Sequence, residues 1–254
     1  MKNLMVANQQ PKGRYDPERI TTLCKAQVEN SIECGWEPED ILLITNFEFD
    51  FMGVASHVIE LNANCLRGSK LYGMQYLYDS QQVNGEVIWA HDLDAWQNCW
   101  FDEPAFKDIG ACYYSRPKIN GGSIFWKPQA KHILEALLAE ISKGAEREEP
   151  VLQRMLRDEK YIDRVTVLDH TYNVGCSGFV PRASRAMKPI RVAHFNPQNK
   201  IAWDTHCLDR NQVGIRSIGH RLEKLVRRYY PGLETEPGVT PPIRERKALC
   251  DYDI

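Results

Sequence analysis

The chain of 254 residues sets 32 Lys and Arg against 34 Asp and Glu, a formal charge of -2, with 43% hydrophobic residues. That length buries a substantial core in one large domain, or in one domain with an appendage, and the composition is that of an ordinary soluble protein. The near-neutral sum excludes binding of nucleic acid by bulk charge, and apolar runs such as Ile41 to Ile44 are far too short to cross a membrane.

Leu4 to Ala7 reads as the first strand; with one early lysine and polar Asn8-Gln9-Gln10 after it, this start is too brief for a signal peptide, and a cytoplasmic location is expected. Pro17 to Cys34 reads as a helix, with Asp16 as N-cap, Pro17 at the first helical position and Gly35 past the end. Ile41 to Thr45 is predicted as a buried strand, Val58 to Leu61 as a short one, Leu71 to Gln82 as a helix, and Val87 to Ala90, after a turn at Asn84-Gly85, as the fourth strand. This alternation predicts a mainly parallel, helix-covered sheet of the α/β class. Gly110 to Tyr114 and Ser123 to Trp126 read as strands on either side of a turn at Asn120-Gly121-Gly122. Gln129 to Ser142 and Glu149 to Leu156 follow as helices, and Val165 to Leu168 as a strand. Ile215, Ile218, Leu222, Leu225 and Val226 recur at helical spacing, which leaves Arg210, Arg216, Arg221, Lys224, Arg227 and Arg228 largely on the opposite, basic face. Pro231 to Pro242 reads as a loop or tail. A main domain at 1–208, with a basic helix and tail at 209–254 packed on it, is the expected organisation.

The eight cysteines contain no Cys-x-x-Cys, so free thiols are expected rather than a structural zinc site or redox pair. Cys207 follows His206, which leaves a cysteine nucleophile as a lesser alternative.

The apolar run Val87-Ile88-Trp89-Ala90-His91 ends in Asp92-Leu93-Asp94. Residues i and i+2 of an extended strand point the same way, so two carboxylates there can share one divalent cation, and hard oxygens suit Mn2+ or Mg2+. A solvated strand end or helix cap is the structural alternative, and Asp251-Tyr252-Asp253 shows how readily the pattern arises. At the C-terminal edge of an α/β sheet, such a cation would lie where nucleotides bind.

Further elements follow the acid pair in order: Asn120-Gly121-Gly122, Glu148-Glu149-Pro150-Val151-Leu152, Tyr172-Asn173, and His194-Phe195-Asn196-Pro197-Gln198-Asn199-Lys200-Ile201-Ala202-Trp203. From Leu4 to Trp203 this series resembles the GT-A glycosyltransferases, especially the retaining glycogenin and bacterial galactosyltransferase type. The resemblance implies a GT-A domain with a Rossmann-like nucleotide-binding half and an acceptor half. It implies Asp92, Asp94 and His194 as metal ligands, with Asp92 also near the donor ribose. Lys200 matches a lysine on the donor phosphate, although the family's glycine and Lys-Pro-Trp pattern is replaced here by Asn196-Pro197 and Lys200-Ile201-Ala202-Trp203. Ala7 and Asn8 match the base and ribose edge, and Lys70 the approach to the phosphates. Asn120, Gly121 and Gly122 match the segment against the donor sugar, where a side chain would collide. Glu148-Glu149 matches an Asp-Gln segment lining the reacting sugar, so Glu149 stands in place of a neutral amide, as nucleophile or charge stabiliser; complementing a helix dipole is the alternative.

The implied reaction moves a hexose or N-acetylhexosamine from a nucleoside diphosphate sugar, UDP-sugar first among them, to an acceptor hydroxyl with retention. Small size and the basic helix resemble compact phage enzymes that glycosylate hydroxymethylated pyrimidines in DNA. Duplex DNA held by the Arg210 to Arg228 face is therefore the leading acceptor, with Trp96, Trp100 and Trp203 available to stack. A glycan, lipid-linked sugar or protein acceptor, a nucleotide-sugar nucleotidyltransferase, and a non-enzymatic DNA-binding module are the alternatives. A nucleotidyltransferase would carry a glycine-rich basic loop after the first strand, where this chain has a single glycine, Gly13.

Overall fold

The computed structural model describes residues 1–9, 16–61, 69–83, 85–115, 118–143, 148–155, 158–175, 179–207 and 217–233. In chain order the elements are β1 (Lys2–Ala7), α1 (Pro17–Glu33), β2 (Ile41–Thr45), β3 (Asp50–Phe51), β4 (Val54–Val58), α2 (Ser69–Asp79), β5 (Ile88–His91), β6 (Ala95–Gln97), β7 (Ile109–Ser115) and β8 (Lys118–Trp126). They continue with α3 (Lys131–Lys143), α4 (Glu148–Met155), α5 (Glu159–Ile162), β9 (Val165–Val167), β10 (Val174–Gly175), α6 (Phe179–Arg185), β11 (Val192–His194), α7 (Lys200–Cys207) and α8 (His220–Tyr229). Eight strands form one sheet in the order β3-β4-β2-β1-β5-β8-β7-β9, and β10-β11-β6 form a second. Parallel pairing joins β4, β2, β1 and β5, as the strand-helix alternation predicts, while β5-β8 and β8-β7 are antiparallel.

Local chemistry explains the elements. Asp16 caps α1 by accepting from the Glu18 N–H, Pro17 opens the helix, and Gly35 at φ +102° ends it. β2 is buried at every position, as its unbroken apolar run requires. Along β1 and β2, period-two alternation sends Leu4 and Leu42 to one face and Met5 and Leu43 to the other. The first face is covered by α2, α3 and α4 through Leu71, Met74, Ile133, Leu137 and Val151; the second packs Trp89 and Phe125 with Ile20, Cys24 and Val28 of α1. A third cluster ties Trp96 of β6 and Phe195 to Trp203 of α7 and to Leu222, Leu225 and Val226 of α8.

Three expectations need correction. The short strand is Val54–Val58, not Val58 to Leu61, because Met52 and Gly53, with φ of 52° and 81°, turn the chain into a β3-β4 hairpin and make the acid-pair strand the fifth. Asn120-Gly121-Gly122 is not a turn between strands but part of β8: Asn120 pairs with Cys112 and Ile124 with Ala111, so Gly121, Gly122 and Ser123 bulge out against one step of β7. The basic helix starts at His220; Arg210, Ile215 and Arg216 lie outside the described residues, as do Asn84, the Asp251-Tyr252-Asp253 repeat and the tail beyond Leu233. In α8, Arg221 pairs with Glu33 at 3.0 Å, Arg227 with Glu223 at 3.0 Å, and Arg228 with Glu29. Partly exposed pairs of this kind contribute about 0–1 kcal/mol each, so burial of Leu222, Leu225 and Val226 is what holds the helix down. Among the described residues, no helix is long and apolar enough to cross a membrane.

Helix α2 lies on β1 and β2 through Gly73, where an added Cβ would come 2.7 Å from Val6 Cγ2 and 3.3 Å from Ile44 Cδ1. Ala is favoured over Gly in a helix by about 1 kcal/mol, but overlap with stiff β-branched side chains outweighs this. Gly73→Ala is expected to lower stability by about 1–3 kcal/mol in urea denaturation.

Candidate active site

β5 ends at His91, and the chain turns at once: the Ala95 N–H donates to the Asp92 carbonyl at 2.9 Å and the Asp92 N–H to the Gly122 carbonyl at 3.0 Å. β6 then pairs antiparallel with β11, setting His194 opposite Ala95, and the Phe195 N–H donates to the Asp94 carbonyl at 2.9 Å. Asp92, Asp94 and His194 therefore converge from positions about a hundred residues apart, with His194 Nε2 3.1 Å from Asp94 Oδ1 and 3.9 Å from Asp92 Oδ2. One ligand atom from each lies within 4.8 Å of the others, the only such group of three His, Cys, Asp or Glu among the described residues. His91 itself is core: its ring stacks on Trp89 at 4.1 Å and bonds Asn3 at 2.8 Å, and burial pushes it down to about 4.

The other imidazole nitrogen, Nδ1, lies 3.2 Å from Asn173 Oδ1. A ring that donates there turns an acceptor nitrogen toward the Asp94 carboxylate, and two acceptors at 3.1 Å need a cation between them. Without metal a proton serves: burial opposes charge on His194, but Asp94 outweighs it and raises the imidazole. Two carboxylates and one imidazole form a donor set for Mn2+ or Mg2+.

The glycine bulge closes the site from the other side. A Cβ on Gly122 would overlap the His194 ring, and one on Gly121 would lie 2.7 Å from Glu148 Oε1 and 3.1 Å from Glu149 Oε1. The Gly121 N–H donates to Glu149 Oε1 at 2.5 Å. Lys70, in the first turn of α2, reaches Asp92 Oδ1 at 2.7 Å, the Gly121 carbonyl at 2.5 Å and Glu148 Oε1 at 3.2 Å. Burial would lower this ammonium, but Asp92 and Glu148 outweigh it and raise it. Burial, with Asp92 and Glu149 nearby, raises Glu148 to about 7 even against Lys70; burial also raises Glu149.

Three buried polar atoms around this cluster have no partner: Asn8 Nδ2, Asn120 Nδ2 and Glu148 Oε2. Such atoms are costly unless a ligand or water meets them, and they fit a polar ligand lying from the end of β1 across the bulge. The structure thus brings together Asp92, Asp94, His194, Lys70, Asn120, Gly121, Gly122, Glu148 and Glu149, with Ala7 and Asn8 leaving the same edge of the sheet on the neighbouring strand. Lys200 starts α7, but its side chain lies outside the described residues. Trp96 and Trp203 are fully buried and cannot stack on a ligand, whereas Trp100 is 49% exposed. His206 is buried and bonds Ser217 Oγ at 2.5 Å, and burial pushes it down to about 3.

Sequence reasoning missed Gln27. From α1 its amide donates to the carbonyls of Leu93 at 2.7 Å and Ala95 at 3.3 Å, pinning the turn that carries Asp92 and Asp94. The signal was present: a glutamine on the apolar face of an amphipathic helix needs an internal partner.

No protein-family model and no curated protein matches the chain. Solved structures do. The galactosyltransferase LgtC, in complex with donor and acceptor sugar analogues, is 11% identical, with 93% of this chain and 98% of that one covered at a TM-score of 0.54. An active-site mutant of LgtC gives 11% identity, 97% and 99% coverage and a TM-score of 0.51. The glycosyltransferase GlyE of Streptococcus pneumoniae TIGR4 is 10% identical at a TM-score of 0.51, with 91% of this chain but 63% of GlyE covered. These likenesses establish the fold as GT-A, as the motif order implied.

Two outcomes are expected from this geometry. Gly122→Ala should displace the His194 ring and weaken Mn2+ binding by at least about tenfold, read by electron paramagnetic resonance, with an unchanged circular dichroism spectrum. Folded Glu148 keeps its proton up to about 7, against an ordinary value of 4.5, so the folded state binds the extra proton and stability falls as pH rises through that window. His91, pushed from 6.5 down to about 4, acts in the opposite sense over much of the same window, so the comparison with a Glu148 variant is what isolates the carboxyl. Urea midpoints at about pH 5 and pH 8 should therefore drop more steeply in the unmodified protein than in Glu148→Gln.

Proposed function

We propose that the chain is a metal-dependent glycosyltransferase that moves a sugar from a nucleoside diphosphate donor to an acceptor hydroxyl with retention of configuration. The observation that carries this reading is the convergence of Asp92, Asp94 and His194 beside a glycine bulge lined by buried, unpartnered polar atoms. The GT-A fold supports it.

Asp92, Asp94 and His194 hold the divalent cation, Mn2+ or Mg2+. When bound, that ion supplies positive charge against the departing diphosphate. Ala7 and Asn8 line the nucleoside, with Asn8 Nδ2 as a donor in waiting. The Gly121-Gly122 backbone lets the sugar lie against β8 where any side chain would intrude. Asn120 Nδ2 and Glu148 Oε2, both buried and unpartnered, orient its hydroxyls. Glu149, fixed by the Gly121 N–H, presents a carboxylate to the positive charge that develops at the anomeric carbon. Lys200 acts on the donor phosphates.

For the acceptor, duplex DNA containing 5-hydroxymethylcytosine remains the leading candidate and Arg210 to Arg228 its contact surface, although three of those arginines already meet carboxylates within the fold. Glycans, lipid-linked sugars and proteins stand beside it in the test. A panel of nucleotide sugars with Mn2+ is expected to give metal-dependent donor hydrolysis, and a hexose-sized or N-acetylhexosamine-sized mass gain on the true acceptor by mass spectrometry. Asp94→Asn should reduce metal-dependent turnover by at least about two orders of magnitude; full activity at limiting metal would overturn the assignment.

A further inference from the structure

Asp92 serves two neighbours at once. Its Oδ1 lies 2.7 Å from Lys70 Nζ, and its Oδ2 faces His194 Nε2 at 3.9 Å. Lys70 is only 7% exposed, and besides Asp92 it meets the Gly121 carbonyl at 2.5 Å and Glu148 Oε1 at 3.2 Å. Three acceptors match the three N–H bonds of an ammonium. The lysine is therefore a fixed positive charge behind the carboxylate, not a mobile arm in solvent.

Resting on the donor reading above, we propose that Lys70 is the resident counter-ion of the acid cluster and couples metal binding to nucleotide binding. It holds the carboxylates together in the absence of metal, opposes a divalent cation on the other oxygen of Asp92, and ceases to oppose it when an anionic diphosphate enters. Coulomb repulsion gives the sign. Lys70 and a dication are like charges on the two oxygens of one carboxylate, so each raises the cost of binding the other. An anionic diphosphate offsets that repulsion. Without Lys70 the repulsion is gone, so metal binds more tightly alone and gains less from the nucleotide. Coupling is reciprocal, so the factor by which nucleotide tightens metal is the factor by which metal tightens nucleotide.

The test measures Mn2+ binding by electron paramagnetic resonance of the free ion, with and without UDP, in the unmodified protein, Lys70→Met and Lys70→Gln. In the unmodified protein UDP should tighten Mn2+ by at least about tenfold. Lys70→Met should bind Mn2+ alone at least about tenfold more tightly, and its gain from UDP should shrink correspondingly. Lys70→Gln keeps an N–H donor without the charge, so it should follow Lys70→Met; behaviour like the unmodified protein would assign the effect to hydrogen bonding and overturn the proposal. Unchanged or weaker Mn2+ affinity in the folded variants overturns it while leaving the donor reading intact. A UDP effect below about twofold in the unmodified protein does the same and requires no variant to fold. Absence of both Mn2+ and UDP binding in the unmodified protein overturns the proposal and the donor reading together.

Discussion

Like charges crowded into one pocket must be neutralised before anything around them can pack, and this chain crowds Asp92, Asp94, Glu148 and Glu149 against the end of one strand. The fold supplies the answer from three directions. α2 brings Lys70 to Asp92 and Glu148, β11 brings His194 to Asp94, and the bulge in β8 gives Glu149 a backbone N–H. Each contribution arises from a separate stretch of chain, so the site forms only when both sheets and α2 are in place. Two separated carboxylates on a surface would carry none of this constraint.

Backbone shape is the second determinant. Gly121 and Gly122 are needed not for an unusual φ but for want of room, one beside Glu148 and the other against the His194 ring. The irregular register of β8 against β7 thrusts this pair toward the acids, while on its other side β8 stays in step with β5, Ser123 opposite His91. A regular strand would bury the glycines in the ladder. The bulge thus converts part of a sheet into one wall of a polar site.

Much of this was legible in the sequence, for physical reasons that differ between elements. α1 announced itself through Asp16, Pro17 and Gly35, and β2 through an unbroken apolar run, because caps and burial are local. The acid pair stood out because an apolar strand ended in two carboxylates. What failed was set by the details of pairing partners. The strand after Met52-Gly53 looked later than it is, at Val58 to Leu61, because β4 is polar at Ser56 and His57, and the glycine bulge looked like a turn because register cannot be read from one strand. The basic stripe of α8 was visible, but two of the acids that answer it, Glu29 and Glu33, belong to α1, nearly two hundred residues earlier. Gln27 signalled a need for an internal partner, but its partners are carbonyls on a turn it reaches only in the folded chain.

The order of strands has a consequence for how the molecule behaves among its neighbours. A wide sheet ordinarily offers two rows of unsatisfied N–H and C=O groups on which another chain can crystallise into fibrils. Here the two borders are β3, two residues long, and β9, three residues long. Neither is long enough to template a stable ladder with a foreign strand, and β3 begins with a carboxylate, Asp50. The large sheet is tapered at both borders, so its breadth carries a small risk of edge-to-edge aggregation at high concentration.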